Sequence, residues 1–442
     1  MKVVIIGCTH AGTAAANNIA RLYKDAEITV YEKNNNISFL SCGIALYVGG
    51  IVQQPEGLFY SSPEKLKELG VNTKMRHEVL EVNFDEKSLV VKDLDQNSIF
   101  VDNYDKLIIT TGSWPVIPKI EGAELENIQL SKNFNHSESI ISKSKAAENI
   151  VVVGAGYIGV ELVEAFERNG KNVTLIDTED RIMSKYFDKE FTDITEAAFK
   201  EHGIKLALGE TVTRFEGKNN KVERVVTNKG SYKADMVILS IGFRPSTDMF
   251  RGKLDMLNNG AILVDEYMQT SRKDVFAAGD CCAVLYNPTG KYQYIPLATN
   301  AVRMGTLIAR NLVKPSTKSI GTQATSGIKI YEFNCAVTGL TEAMAKASGL
   351  DIKTVLIKEN YRPEFMPTHE EAMLKVVYDS KTKVILGAQI LSKADLTQSI
   401  NTLSVVIQNK MTIDELAFVD FFFQPHYNKP WNILNMAGLA AE

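Results

Sequence analysis

MKVVIIGCTHAG, residues 1–12, followed by a helical stretch and then by ITVYEK at 28–33, decides the fold. An apolar run enters a Gly-rich turn, a helix follows, and a second apolar run closes on the carboxylate of Glu32, 20 residues after Gly12. The pattern recurs as IVVVGAGYIG at 150–159 and VTLID at 173–177, with Asp177 18 residues after Gly159. Each copy reads as a βαβ unit shaped for an ADP moiety. Glycines let the backbone approach a pyrophosphate, the helix N-terminus attracts its charge, and the strand-end acid accepts from ribose hydroxyls. The second copy has all three glycines, Gly154, Gly156 and Gly159, followed by Tyr157 and Ile158 inside the motif. The first is less regular, because Thr9 stands between Gly7 and Gly12 where a second glycine is usual. Two such units predict two dinucleotides, and passing electrons between them is the simplest reason to hold both. Asp177 favours NADH over NADPH by repelling a 2′-phosphate, while Glu179, Asp180 and Arg181 read as a solvated loop.

A third segment, TSRKDVFAAGD at 270–280, ends an apolar strand in Gly279-Asp280 and leads to a helix near 298–312. Its acid reads either as a turn cap or as a grip on the ribityl chain of a flavin. Two more strands end in Gly, KLIITTGSWP at 106–115, with Thr111 and Gly112, and MVILSIGFRP at 236–245, with Gly242.

Length and composition bound the reading. The chain has 442 residues, which predicts about three domains. Hydrophobic residues make up 45%, enough for buried cores, and the formal net charge is −4 with no basic run. That argues against a nucleic-acid partner. No stretch reaches the length of a membrane span, and the brief apolar N-terminus enters a glycine turn, so it reads as a strand and not a signal peptide. The five cysteines, Cys8, Cys42, Cys281, Cys282 and Cys335, form no secreted disulfide framework, and metal-ligand spacing is absent. A cytoplasmic location is expected.

The fold class predicted is α/β, with two Rossmann-like dinucleotide-binding domains and a C-terminal α+β domain. The expected segments are 1–115 and 245–320 for the first dinucleotide domain, 116–244 for the second, and 325–442 for the α+β domain; the family resemblance given below implies FAD, NADH and dimerisation for them in that order. In the last segment KIYEFNCAVTG, DIKTVLIKEN, AMLKVVYD and VILGAQIL read as strands, with a hairpin turn at 379–383. Helices are expected over 395–409 and 413–423, and a third starting after Asn428-Lys429-Pro430, with Pro near its first turn.

Between the fingerprints lies SFLSCGIALYVGG at 38–50. Cys42 precedes a helix start, which predicts a stabilised thiolate; the plain alternative is a buried, inert cysteine. His10 sits in the turn after the first strand, and adjacent parallel strands would bring it to the same sheet edge as Cys42. It reads either as the partner of that sulfur or as a cap on the fingerprint helix.

Taken with IPLATNAVRMG at 295–305 and FFFQPHYNKPWN at 421–432, these motifs resemble the pyridine nucleotide-disulfide oxidoreductase superfamily across essentially the whole chain. Within it they resemble the single-cysteine branch of NADH oxidases, NADH peroxidases and coenzyme A-disulfide reductases. The usual Cys-x4-Cys pair is missing, since Tyr47 stands where the second cysteine would be, and Ser41 before Cys42 resembles the oxidase and peroxidase members. The resemblance implies FAD as cofactor and NADH and O2 as substrates, with oxygen reduced to water through a flavin peroxide and a Cys42 thiolate/sulfenic acid cycle. It implies Cys42 and His10 as catalytic. It implies Gly7, Thr9, Gly12, Glu32, Lys33, Ser41, Thr111, Gly112, Asp280 and Ala298 around the flavin, and Gly154, Gly156, Tyr157, Ile158, Gly159, Asp177 and Gly242 around the second dinucleotide. Tyr157 would cover the flavin, or simply pack. The aromatic run near 421–427 would reach a partner's active site in a homodimer or homotetramer, or form a buried cluster. NADH peroxidase and coenzyme A-disulfide reductase are the rival activities. A flavoprotein redox sensor is the rival of another class, for which the ends MKVV and GLAAE offer no arm.

Overall fold

A computed structural model describes residues 1–442. It contains two five-stranded parallel sheets built on one plan. In the first, the order is Val275–Ala277, Lys106–Ile109, Lys2–Ile6, Glu27–Glu32, Val71–Met75. In the second, it is Ile128–Leu130, Met236–Leu239, Asn149–Val153, Asn172–Asp177, Lys205–Leu208. The fingerprint strand is central in each, and its apolar run is buried on both faces: Val3, Val4, Ile5, Val151 and Val152 have no exposed surface. Each sheet also carries a three-stranded antiparallel annex, His77–Asn83 to Ser98–Asn103 in one case and Val212–Lys218 to Ser231–Lys233 in the other. The strand order reverses beside the fingerprint strand in both sheets, which is where open α/β sheets place ligands. The two Gly-ended stretches of the sequence continue into Ser113–Pro115 and Phe243–Pro245, which pair antiparallel and join the two sheets.

The third sheet is antiparallel, in the order Ser326–Ile330, Phe333–Gly339, Ile385–Ser392, Glu371–Asp379, Ile352–Asn360. Three expectations are corrected here. KIYEFNCAVTG is not one strand but a hairpin, because Tyr331 turns the chain at φ 50° and Ile330 pairs with Phe333. The helix expected over 395–409 begins only at Ser399, because Asp395 accepts from Thr397 N and Oγ1 in a side-chain turn. The helix expected over 413–423 stops at Leu416 despite a full capping box at Thr412 and Glu415. Beyond it Phe418 is 74% exposed and finds no apolar surface to pack on, and Pro425 bars a helix just before it. The last helix follows Pro430 as expected, starting at Ile433, where Asn432 accepts from Leu434 N at 3.0 Å. No helix is long and apolar enough to cross a membrane.

Candidate active site

The two fingerprints repeat in atomic detail. Gly7 and Gly154 turn at φ 91° and 105°, conformations that suit glycine. A Cβ on Gly12 would meet Gly7 O at 2.0 Å, so the helix His10–Leu22 packs directly on the turn. Thr9 sits at φ −92° and is exposed, so the position that departs from the usual glycine demands none. Each strand-end acid grips its own turn: Glu32 Oε2 accepts from Cys8 N at 2.8 Å, and Asp177 Oδ2 accepts from Ala155 N. Thr110 Oγ1 donates to Gly7 O at 2.8 Å, and Ser240 Oγ repeats this towards Gly154 O at 3.0 Å.

Because the strands of the first sheet are parallel, their C-terminal ends gather the expected residues at one edge. Gly7, Lys33, Thr111, Gly112 and Asp280 all follow strand ends there. Lys33 lies over the Trp114 ring at 5.5 Å. The helix Ala298–Asn311 comes close enough that a Cβ on Gly279 would lie 3.4 Å from Ala301 Cβ. At the same edge the structure adds a triangle that sequence reading missed. Ser113 Oγ donates to Asp280 Oδ2 at 2.8 Å, and Lys132 Nζ donates to Ser113 Oγ at 2.9 Å and to Asp280 at 3.1 Å. Ser113 lies within a stretch already singled out, but Lys132 follows the strand Ile128–Leu130 with no motif around it.

Cys42 is the one exposed cysteine of five; the others are buried. It lies in a tight turn, Ser41–Gly43, before a helix of only five residues, Ile44–Val48. The expected thiolate is reversed in this arrangement. Enclosure by protein atoms, then the charge of Glu161, pushes the thiol up, and Lys132 opposes them only in part. So short a helix supplies little dipole to compensate. His10 makes no hydrogen bond with Cys42. Its Nδ1 meets Tyr60 OH at 3.2 Å, the two rings lie nearly parallel, and its Nε2 is buried with no partner. Burial lowers its basicity, with Asp280 opposing and Lys132 assisting that shift. His10 and Cys42 therefore both feel the Lys132–Asp280 pair.

The second fingerprint lines a cleft of about 190 Å³ that includes Gly154, Gly156, Asp177, Tyr186 and Gly242. A Cβ on Gly156 would meet only Tyr186, at 3.9 Å, so that face of the turn is open. Tyr157 stacks on Tyr186 at 4.2 Å, and its hydroxyl lies 2.9 Å from Ser326 Oγ of the third sheet. Ile158 is half-buried in the same helix, and Gly159 closes the turn. One helical turn beyond Tyr157, burial and then Glu164 push Glu161 up to about 7. Its ionised form is disfavoured in the fold, so stability is greatest below the ordinary carboxylate range and falls as pH rises through about 7. Glu161→Gln is expected to gain about 1 kcal/mol over the parent at pH 8 and little at pH 4.5, read from denaturant midpoints. An equal midpoint shift at both pH values contradicts this assignment.

Residues 1–305 match the family model described as pyridine nucleotide-disulphide oxidoreductase, and residues 325–433 match its dimerisation domain. The chain is 53% identical to an NADH oxidase of Enterococcus faecalis over 442 residues, covering 100% of this chain and 99% of that one. It is 34% identical to an NAD(P)H sulfur oxidoreductase (CoA-dependent) of Pyrococcus furiosus, covering 98% and 97%. The water-forming NADH oxidase from Lactobacillus brevis, solved with NADH bound, superposes with a TM-score of 0.98 at 52% identity, covering 100% of this chain and 98% of that one.

Proposed function

The chain belongs to the pyridine nucleotide-disulphide oxidoreductase family, and from that premise we propose that it is a water-forming NADH oxidase that works through a sulfenic acid on Cys42. It is an oxidoreductase that takes NADH and holds FAD. Residues 1–115 and 245–320 are assigned to the flavin, 116–244 to NADH, and 325–442 to subunit pairing. Exposed Phe418, Phe422 and Tyr427 suit coverage by a second copy.

The residues present fit FAD. Glu32 is 3% exposed at a strand end with its carboxylate aimed at the first turn, and Thr111 Oγ1, Ser131 Oγ and Tyr294 OH are buried with no partner. Buried polar atoms are ordinarily satisfied, and a polar cofactor supplies what the protein does not. Gly7, Thr9, Gly12, Glu32 and Lys33 would hold its ADP half, and Ser41, Thr111, Gly112, Asp280 and Ala298 the remainder. When bound, FAD supplies the two-electron relay between NADH and oxygen. Gly154, Gly156, Ile158, Gly159, Asp177 and Gly242 would hold NADH, with Tyr157 and Tyr186 lining its path.

The observation that carries the reading is a solitary accessible thiol. Cys42 has no second cysteine with which to close a disulfide, so its oxidised form is a sulfenic acid. Its thiolate attacks one oxygen of a peroxide, the O–O bond breaks, sulfur is oxidised to Cys-SOH, and one water leaves. Two electrons from a second NADH return the thiol and release the second water. The raised thiol needs a base at the moment of attack. With Tyr60 OH donating to Thr9 O at 3.3 Å, His10 Nδ1–H donates to Tyr60, and Nε2 is left as a free lone pair to take the thiol proton.

The test is stoichiometry in the FAD-loaded protein. One oxygen should be consumed per two NADH, with no peroxide released. Rapid use of added peroxide with little oxygen uptake would make the protein an NADH peroxidase. NADH oxidation only on addition of coenzyme A disulfide would place it with the coenzyme A-dependent relatives.

A further inference from the structure

The NADH side of the site is tied to the third sheet through a buried ionic cluster. Lys375, on the strand Glu371–Asp379, is 2% exposed, and its Nζ lies 2.6 Å from Glu342, 2.9 Å from Glu190 and 3.3 Å from Asp188. Its cross-strand neighbour Gln389 has no exposed surface and clasps Asp188 from both ends. Asp188 N donates to Gln389 Oε1, and Gln389 Nε2 donates to Asp188 Oδ2, both at 2.6 Å.

Asp188 precedes the helix Lys189–Glu201 but makes no side-chain cap to it. Its carboxylate instead accepts from Glu342 N at 2.9 Å and Ala343 N at 3.2 Å, at the start of a helix attached to the third sheet. A cap has thus been diverted from its own helix to another part of the chain. The segment that Asp188 ends is the loop lining the NADH cleft. That loop is anchored at its other side by Met183 N donating to Ala155 O at 2.8 Å, and it carries Tyr186, stacked on Tyr157. Met183 sits at φ 49°, in the left-handed region that residues other than glycine seldom adopt.

Resting on the NADH reading above, we propose that Lys375 and Gln389 are positioning residues for NADH: from the third sheet they hold Asp188, and through it the loop that places Tyr186 in the dinucleotide cleft. A buried ion pair contributes little net stability over an apolar replacement, but it fixes one geometry. Here the geometry fixed is that of a binding loop, and neither residue touches the cleft itself.

The test compares Lys375→Met and Gln389→Met in the FAD-loaded protein, with NAD+ titrated by calorimetry and NADH turnover measured in parallel. Lys375→Met leaves three carboxylates together and can fail to fold, in which case the near-isosteric Gln389→Met decides. The expected result is a Kd for NAD+ and a KM for NADH raised roughly three- to thirty-fold, with kcat within about two-fold of the parent and flavin content unchanged. Folded variants with parental Kd and KM, or a fall confined to kcat, overturn the proposal. NAD+ affinity is read without oxygen chemistry, so a failure of the oxidase reading does not imitate a negative result here.

Discussion

Cys42→Ser is expected to convert a water-forming protein into a peroxide-releasing one. NADH binding and oxygen uptake should persist, since Cys42 belongs to neither fingerprint. What disappears is the sulfur proposed to break the O–O bond. A serine hydroxyl is a poor nucleophile without a strong base, so peroxide formed per NADH consumed should rise from near zero to about one. No other cysteine can substitute, because Cys8, Cys281, Cys282 and Cys335 are all buried. Burial also pushes the Cys8 and Cys335 thiols up to about 12. A sulfenic-acid trapping reagent should label the turning-over parent at Cys42 and leave the variant unlabelled. A variant that still makes only water would remove Cys42 from the reaction.

The second large effect is expected at Asp177. Its carboxylate closes the strand Asn172–Asp177 in the dinucleotide cleft, and a 2′-phosphate would meet that charge together with Glu179. Asp177→Asn with Thr178→Arg removes a negative charge and adds a planar cation suited to phosphate. The ratio of kcat/KM for NADPH over NADH should rise about a hundredfold, some 2.7 kcal/mol at the transition state. Asparagine is the informative replacement, because its carbonyl keeps an acceptor for Ala155 N, which Asp177 now holds. Alanine there would orphan that N–H and loosen the fingerprint turn, mixing a folding cost with the charge effect. A parent that uses NADPH as well as NADH would show that Asp177 does not discriminate.

The two fingerprints were legible because everything that makes them is local. An apolar run, a glycine where φ is positive, and an acid about twenty residues on are properties of short segments, and the folded chain repeats them in both sheets down to the carboxylate that grips the turn. The solitary Cys42 was legible for the same reason. Its protonation was not, because a helix start was visible in sequence while the length of that helix and the charge of Glu161 were not. The aromatic stretch after Leu416 shows the same limit: its apolar content suggested a helix, but Asn435 Nδ2, from a later segment, donates to Leu416 O, Ala417 O and Val419 O, and only Val419 and Phe421 pack on the core while Phe418, Phe422 and Phe423 stay exposed.

Sequence by itself therefore determined the α/β class, the two dinucleotide units and the solitary Cys42 between them, since each rests on a pattern that a short segment carries alone. Tertiary structure alone decided the Lys132–Ser113–Asp280 triangle, the free Nε2 of His10 and the Lys375–Asp188–Gln389 cluster. Their members come from segments far apart in the chain. Their energies depend on burial and on neighbouring charge, which exist only once separate sheets have been brought together.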